Sequence, residues 1–283
     1  MALEKGITVL VENDAKGRIE INSGVQKASG YDIYNDLQYA ENSVKPITDW
    51  REITSDEYYL LTPENYKNHT SIVSIHKLPD NIISLLNKLD LGSSIHSNDA
   101  HSRISRNKEI TEELSTTLDS YLNKYSIKGS AKLHGLVVMP GSLETTSFFW
   151  SDQDPTIKEY LGMHLDTSTD FTLPEARYSR NRICINLGEE DRHLLFVNLT
   201  VNQICQKLKR KAKVEVTKLD AGNLGEMFFK FFPNYPVLKI RIKPHEFYIA
   251  PTDNCLHDGT TLGKMKNDVT ISFLGYFKHQ IAE

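Results

Sequence analysis

Cysteine is scarce in this 283-residue chain: Cys184, Cys205 and Cys255 are the only three. An odd, sparse set excludes a disulfide framework and favours a reducing compartment, and a core of this length needs no such staple. Fifteen glycines and ten prolines are too few for a collagen-like or low-complexity chain. No heptad pattern persists, which excludes a coiled coil. No apolar run approaches the roughly eighteen residues that a membrane helix needs. The opening MALEKGITVLVEN sets acidic residues on both sides of a short apolar run, unlike a signal peptide. Together these absences predict a cytoplasmic protein with no membrane partner. Basic charge is not in excess either. Lys plus Arg is 33 against 37 for Asp plus Glu, a formal charge of -4, which argues against a general nucleic-acid binder.

What remains is the composition of a soluble globular domain: 39% hydrophobic and 25% charged. No repeat or linker divides it. The pattern predicts a single domain over 1–283: an α/β N-terminal extension with support helices over 1–129, and a β-rich core over 130–283. In the extension, Ile7–Val11, Arg18–Ile21 and Ile72–His76 read as strands, and Pro63–Thr70 as a polar stretch. Helical spacing of apolar residues predicts helices over Asn81–Leu91 and Asn107–Tyr125. Between them, Asp99–Arg106 reads as a polar loop.

After Gly129 strands dominate. They are expected at 133–139, 146–150, 182–187, 193–199, 213–218, 237–242, 246–250 and 269–277, with one helix at 200–212. Eight strands separated by turn residues suggest a β-sandwich or jelly-roll barrel. On that helix Val201, Ile204 and Leu208 face inward and the Lys and Arg residues outward, the pattern of a solvated face.

Two histidines stand in suggestive settings. In the segment Gly162-Met163-His164-Leu165-Asp166, an extended backbone points residues two apart to the same side. His164 and Asp166 would thus offer an imidazole nitrogen and a carboxylate oxygen to one point. The other is His257, read as lying in a polar turn between the strand EFYIA and the last strand. Two His and one carboxylate on one face of an iron leave three positions open. Chance alone gives about 1.3 matches to H-x-D/E in such a composition, so the match carries little by itself. The order of elements carries more: helices, strands, H-x-D, more strands, an isolated His, a final strand.

That order resembles the Fe(II)/2-oxoglutarate-dependent oxygenases over roughly residues 130–278. The phrases SRNRICINLG, HLLFVNLT and HDGTT…DVTISFLGYF look most like small free-standing members that modify amino acids. The resemblance implies a mainly β fold, a double-stranded β-helix (jelly-roll, cupin-like) core. It implies Fe(II) held by His164, Asp166 and His257, with 2-oxoglutarate and dioxygen as cosubstrates. The C–H bond of a small amino-acid-like substrate would be hydroxylated, desaturated or closed into a ring. A retained Asp166 disfavours halogenation.

The cosubstrate carboxylate needs a fixed cation. The arginine that many members carry about ten residues past the second His is missing. Arg182 is the first choice, facing inward with Cys184 and Asn186, which would add a hydrogen bond; Lys266 is the second. For the substrate, Arg103 and Arg106 could hold a carboxylate and Glu144 an amine. Two alternatives stay open: a non-catalytic cupin-like binding protein, and a metallohydrolase using the same triad.

Overall fold

The computed structural model of the protein describes residues 1–11, 16–28, 30–32, 37–62, 69–168 and 171–279. Most of the polar stretch Pro63–Thr70, namely 63–68, lies outside them. The architecture is mixed α/β, with many strands gathered in sheets.

Alternation along one strand explains the layering. In Asn181–Asn186, Ile183 and Ile185 point one way and Arg182 and Cys184 the other, because successive side chains leave a strand on opposite faces. This strand is central in a six-stranded sheet. The sheet order is Thr8–Val11, Ile72–Lys77, Glu246–Ala250, Asn181–Asn186, Asp268–Phe277, Ser126–Met139. The apolar outer face (Ile183, Ile185, Phe247, Phe273) is covered by helices Asp80–Leu89 and Lys108–Asn123. Their Ile82 and Leu86, and Leu118 and Leu122, sit four residues apart on each helix and are buried against it.

The inner face meets a second sheet, ordered Cys255–Thr260, Arg192–Thr200, Leu238–Ile242, Ile19–Ile21, Arg51–Glu52. Cys184, Tyr248 and Ala250 of the first sheet and Leu194, Phe196 and Ile240 of the second share one buried cluster. The outer face of the second sheet (Leu195, Val197, Leu199) is closed by helices Val201–Lys207 and Leu224–Phe231. A third sheet joins Val25–Lys27, Leu37–Pro46, Lys158–Gly162 and Phe148–Trp150.

Several expectations need correction. The line drawn at 129/130 falls inside the strand Ser126–Met139, and residues 8–11, 72–77, 19–21 and 51–52 extend both central sheets. The segment 213–218 is no strand: Val216–Lys218 is a single 3-10 turn, following a left-handed Lys213 (φ 58°) that ends the preceding helix. His257 is not in a turn. The turn closes at Pro251–Asn254, and Cys255–Thr260 is a buried strand paired with Arg192–Thr200. Asp99–Arg106 is not a loop but most of a helix, Ser97–Arg106, whose first turn is capped by His96 Nδ1 accepting from the Asp99 amide at 2.9 Å. Only Ala100 of that helix is buried, so no apolar stripe marked it.

One close approach fixes how the third sheet meets the segment that carries His164 and Asp166. Gly162 has φ +65°, and a Cβ there would lie 2.2 Å from the Val44 carbonyl oxygen. Both the left-handed backbone and the contact require glycine. Gly162→Ala should lower stability by about 1–3 kcal/mol. Denaturant unfolding of the two proteins measures it, and an unchanged midpoint would refute the constraint.

Candidate metal centre

His164, Asp166 and His257 come together although 93 residues separate the histidines: their candidate ligand atoms all lie within 4.8 Å of one another. Backbone pairing does this. The His164 amide donates to the His257 carbonyl at 3.0 Å, and the His257 amide returns a bond to the His164 carbonyl at 2.8 Å. The Asp166 amide donates to the Thr252 carbonyl at 3.2 Å, keeping the segment extended beside the strand end.

Each ring is oriented by its other nitrogen. His164 Nδ1 lies 2.8 Å from the Gly162 carbonyl, and His257 Nδ1 lies 3.2 Å from the Cys255 carbonyl. A carbonyl only accepts, so both Nδ1 atoms carry a proton and Nε2 of each ring is the position that can ligate a metal. Those Nε2 atoms face the carboxylate: His164 to Oδ1 at 3.4 Å, His257 to Oδ2 at 3.5 Å. Two imidazoles oriented by carbonyls, with one carboxylate between them, are a donor set suited to a divalent transition metal. Arg182 donates from Nη2 to Asp166 Oδ2 at 2.6 Å.

Burial and charge set the protonation states. Burial pushes His257 down to about 3, and the neighbouring His164 and Arg182 act the same way against Asp166. For His164 burial opposes the charged form, but the hydrogen bond and charge of Asp166 outweigh it and raise the pKa. Burial disfavours ionised Asp166, yet His257, Arg182 and His164 hold it well below the usual carboxylate range. Beside the triad, burial pushes Asp258 up to about 6, although Thr145, the Ser147 amide and the Gly259 amide bond to it.

The triad opens into a cavity of about 320 Å³ between the two central sheets. Val137, Met139, Phe148 and Leu161 supply its apolar wall; Thr146, Ser147, Thr270 and Ser272 supply hydroxyls. His134 also lines it, its pKa lowered by burial and then by Arg182. At one end lies a buried charge cluster not foreseen from the sequence. Arg192 Nε stands 3.4 Å from Asp268 Oδ2, and Lys264 Nζ donates to Asp268 Oδ1 at 2.7 Å. Arg192 Nη1 also contacts Cys184 Sγ at 2.7 Å, and the guanidinium lies 5.9 Å from the Tyr248 ring centre. One carboxylate here serves two buried cations.

The other expected residues divide. Arg182 does line the cavity, but Asp166 engages its guanidinium. Asn186 faces inward yet sits outside the cavity. Its side chain bonds the Gly188 amide and the Glu190 and Ile242 carbonyls and so braces a turn. Lys266 is exposed and paired with Glu189. Arg103 is held on its helix by Asp90 and Asp99, and Arg106 is exposed at the end of that helix, so neither reaches the cavity. Glu144 pairs with Lys45 and accepts from Tyr39, beside a separate small pocket. The structure brings none of these three to the cavity: near neighbours meet Arg103 and Glu144, and Arg106 is exposed to solvent. For Arg192 the signal was available, since an arginine opening the apolar run HLLFVNL is buried with it.

No protein-family model matches the chain, and no curated protein sequence is similar to it.

The protonation states give a prediction. Above about pH 4, His257 and Asp166 are already in their ligand forms, because both pKa values are depressed. His164, raised by Asp166, keeps its proton to higher pH than an ordinary imidazole. Metal binding should weaken as pH falls through the His164 pKa, and the proton released on loading should come from His164 and not from His257 or Asp166, so fewer than two are released. Calorimetric titration with Co(II) in buffers of different ionisation enthalpy counts the protons. A value near two would contradict the assignment.

Proposed function

We propose that the protein is an Fe(II)- and 2-oxoglutarate-dependent oxygenase acting on an unactivated C–H bond of a small amino-acid-like molecule. The observation that carries this reading is the His164–Asp166–His257 set, its Nε2 atoms converging at a cavity between two sheets. The strand order supports a double-stranded β-helix core. Four strands (126–139, 268–277, 181–186, 246–250) run side by side in one sheet. Facing them, the His164 bridge leads into 255–260, 192–200 and 238–242.

His164, Asp166 and His257 would hold the iron. Iron supplies the capacity to couple dioxygen reduction and 2-oxoglutarate decarboxylation to C–H oxidation. The chain supplies position and charge. Arg182 fixes Asp166 through its Oδ2 and keeps the carboxylate turned toward both imidazoles. The cation for the cosubstrate's distal carboxylate is Arg192. With Lys264 and Asp268 it forms a buried cluster with one positive charge in excess, which an entering carboxylate would balance. Thr270 and Ser272 line the same cavity as hydroxyl donors. The apolar wall excludes water from the reacting carbon.

Anaerobic addition of Fe(II) and 2-oxoglutarate should give a weak visible charge-transfer band, and air should then give succinate. A metallohydrolase gives no band and works without oxygen; a binding protein makes no succinate. His164→Ala, Asp166→Ala and His257→Ala should each abolish succinate formation. Arg192→Gln should raise the KM for 2-oxoglutarate by about 10- to 100-fold, the loss of one charge-assisted bond. Full activity in any triad variant would remove that residue from the metal set. An unchanged KM in Arg192→Gln would move the cosubstrate elsewhere.

A further inference from the structure

A second concavity, of about 550 Å³, lies on the six-stranded sheet where its edge strand Ser126–Met139 runs beyond the metal cavity. Three cations line it: Lys128, Lys132 and Arg180. No carboxylate lines it, and among the described residues none pairs with these three. Lys128 and Lys132 are exposed, with the Lys128 ammonium 3.8 Å from the Tyr276 ring centre. Among the described residues Arg180 donates to a neutral partner, the Ser168 carbonyl, at 3.1 Å. In a chain with more acidic than basic residues, this is a local reversal of charge.

Register joins this trough to the cavity. Cys184 stands opposite Ser272, and both line the cavity. One row out, Arg182 stands opposite Leu274, and Leu274 opposite Lys132. One further row out, past a register shift in the edge strand, Tyr276 stands opposite Lys128. Directly opposed residues of antiparallel strands share a face, as do residues two apart along a strand. Lys132 and Lys128 thus continue the face that carries Arg182, and Arg180, just before that strand, lines the same trough. Each row adds about 7 Å. Nearest the triad the row's cation is already engaged by Asp166; further out the cations have no acidic partner among the described residues.

We propose that this trough seats an anionic end of the substrate, a carboxylate or phosphate, while the carbon to be oxidised enters the cavity. The substrate is then an elongated anion, its acidic group roughly 7–14 Å beyond the cavity rows, rather than a free α-amino acid whose charges lie next to the reacting carbon. Leu133, Leu274 and Tyr276 offer apolar contact for the span between. The substrate role rests on the oxygenase reading; the capture of an anion does not.

The test is anisotropy of dansyl-Gly-Glu-Glu, its uncharged counterpart dansyl-Gly-Gln-Gln, dansyl-Gly-phosphoserine and dansyl-Gly-Lys-Lys on the full chain without metal. An acidic probe should bind about tenfold or more tighter than the neutral one, and lose that advantage at high salt. The phosphate and carboxylate probes distinguish the two sources of the anion. Lys128→Glu with Lys132→Glu should abolish the preference and create binding of the Lys-Lys probe. Lys132→Glu alone, at a side chain without an ion pair, should weaken acidic binding with folding unaffected. Equal binding of both acidic probes and the neutral one, or undiminished acidic binding in the double variant, overturns the proposal. The measurement needs neither iron nor turnover. Acidic binding without succinate formation by the wild type would sink the oxygenase reading and keep this surface. Succinate formation without acidic binding would do the reverse.

Discussion

The pair of backbone hydrogen bonds between His164 and His257 is the constraint on which the site depends. Two amides and two carbonyls lock a loop segment to a strand end, and the side chains follow. Each imidazole then uses its own local carbonyl to fix its orientation, so the Nε2 atoms converge toward Asp166. The strand end is fixed in turn by pairing with Arg192–Thr200, and the loop by Gly162 lying against Val44. Disturbing either partner would separate the two halves of the ligand set.

Charge organises the cavity from one end to the other. Beside Asp166 the positive charge of Arg182 is neutralised. At the buried end, Asp268 divides its charge between Arg192 and Lys264 and leaves one cation in excess. A buried unbalanced charge is costly unless a ligand completes it. Outward, Lys128 and Lys132 are exposed to water, where the cost is small and long-range attraction of an anion is kept. The two ends would thus take two anions of different depth, with the triad between them.

Layering explains why the interior can hold such polar groups. Helices on both outer faces bury large apolar clusters, and a third cluster fills the space between the sheets away from the cavity. Stability comes from these, so the inner rows near the triad are free to carry Arg182, Ser272 and Thr270 instead of packing residues.

Periodicity in the sequence determined most of the central strands and the two long support helices, because alternation and three-to-four spacing are local signals. It also determined that His164 and Asp166 share a side, and that Arg182 faces away from Ile183 and Ile185. Other elements were illegible for identifiable reasons. The helix Ser97–Arg106 buries little, so it has no stripe to read. Strand Leu37–Pro46 is broken by Asn42 at φ 62° and mixes polar with apolar residues. His257 looked like a turn residue because Thr252, Asp253 and Asn254 are polar, yet all three are buried. Only the tertiary structure decided which cations reach the cavity. Arg103, Arg106, Glu144 and Lys266 are as charged in sequence as Arg192. What separates them is whether a neighbour or solvent meets the charge first, and that depends on contacts between residues far apart in the chain.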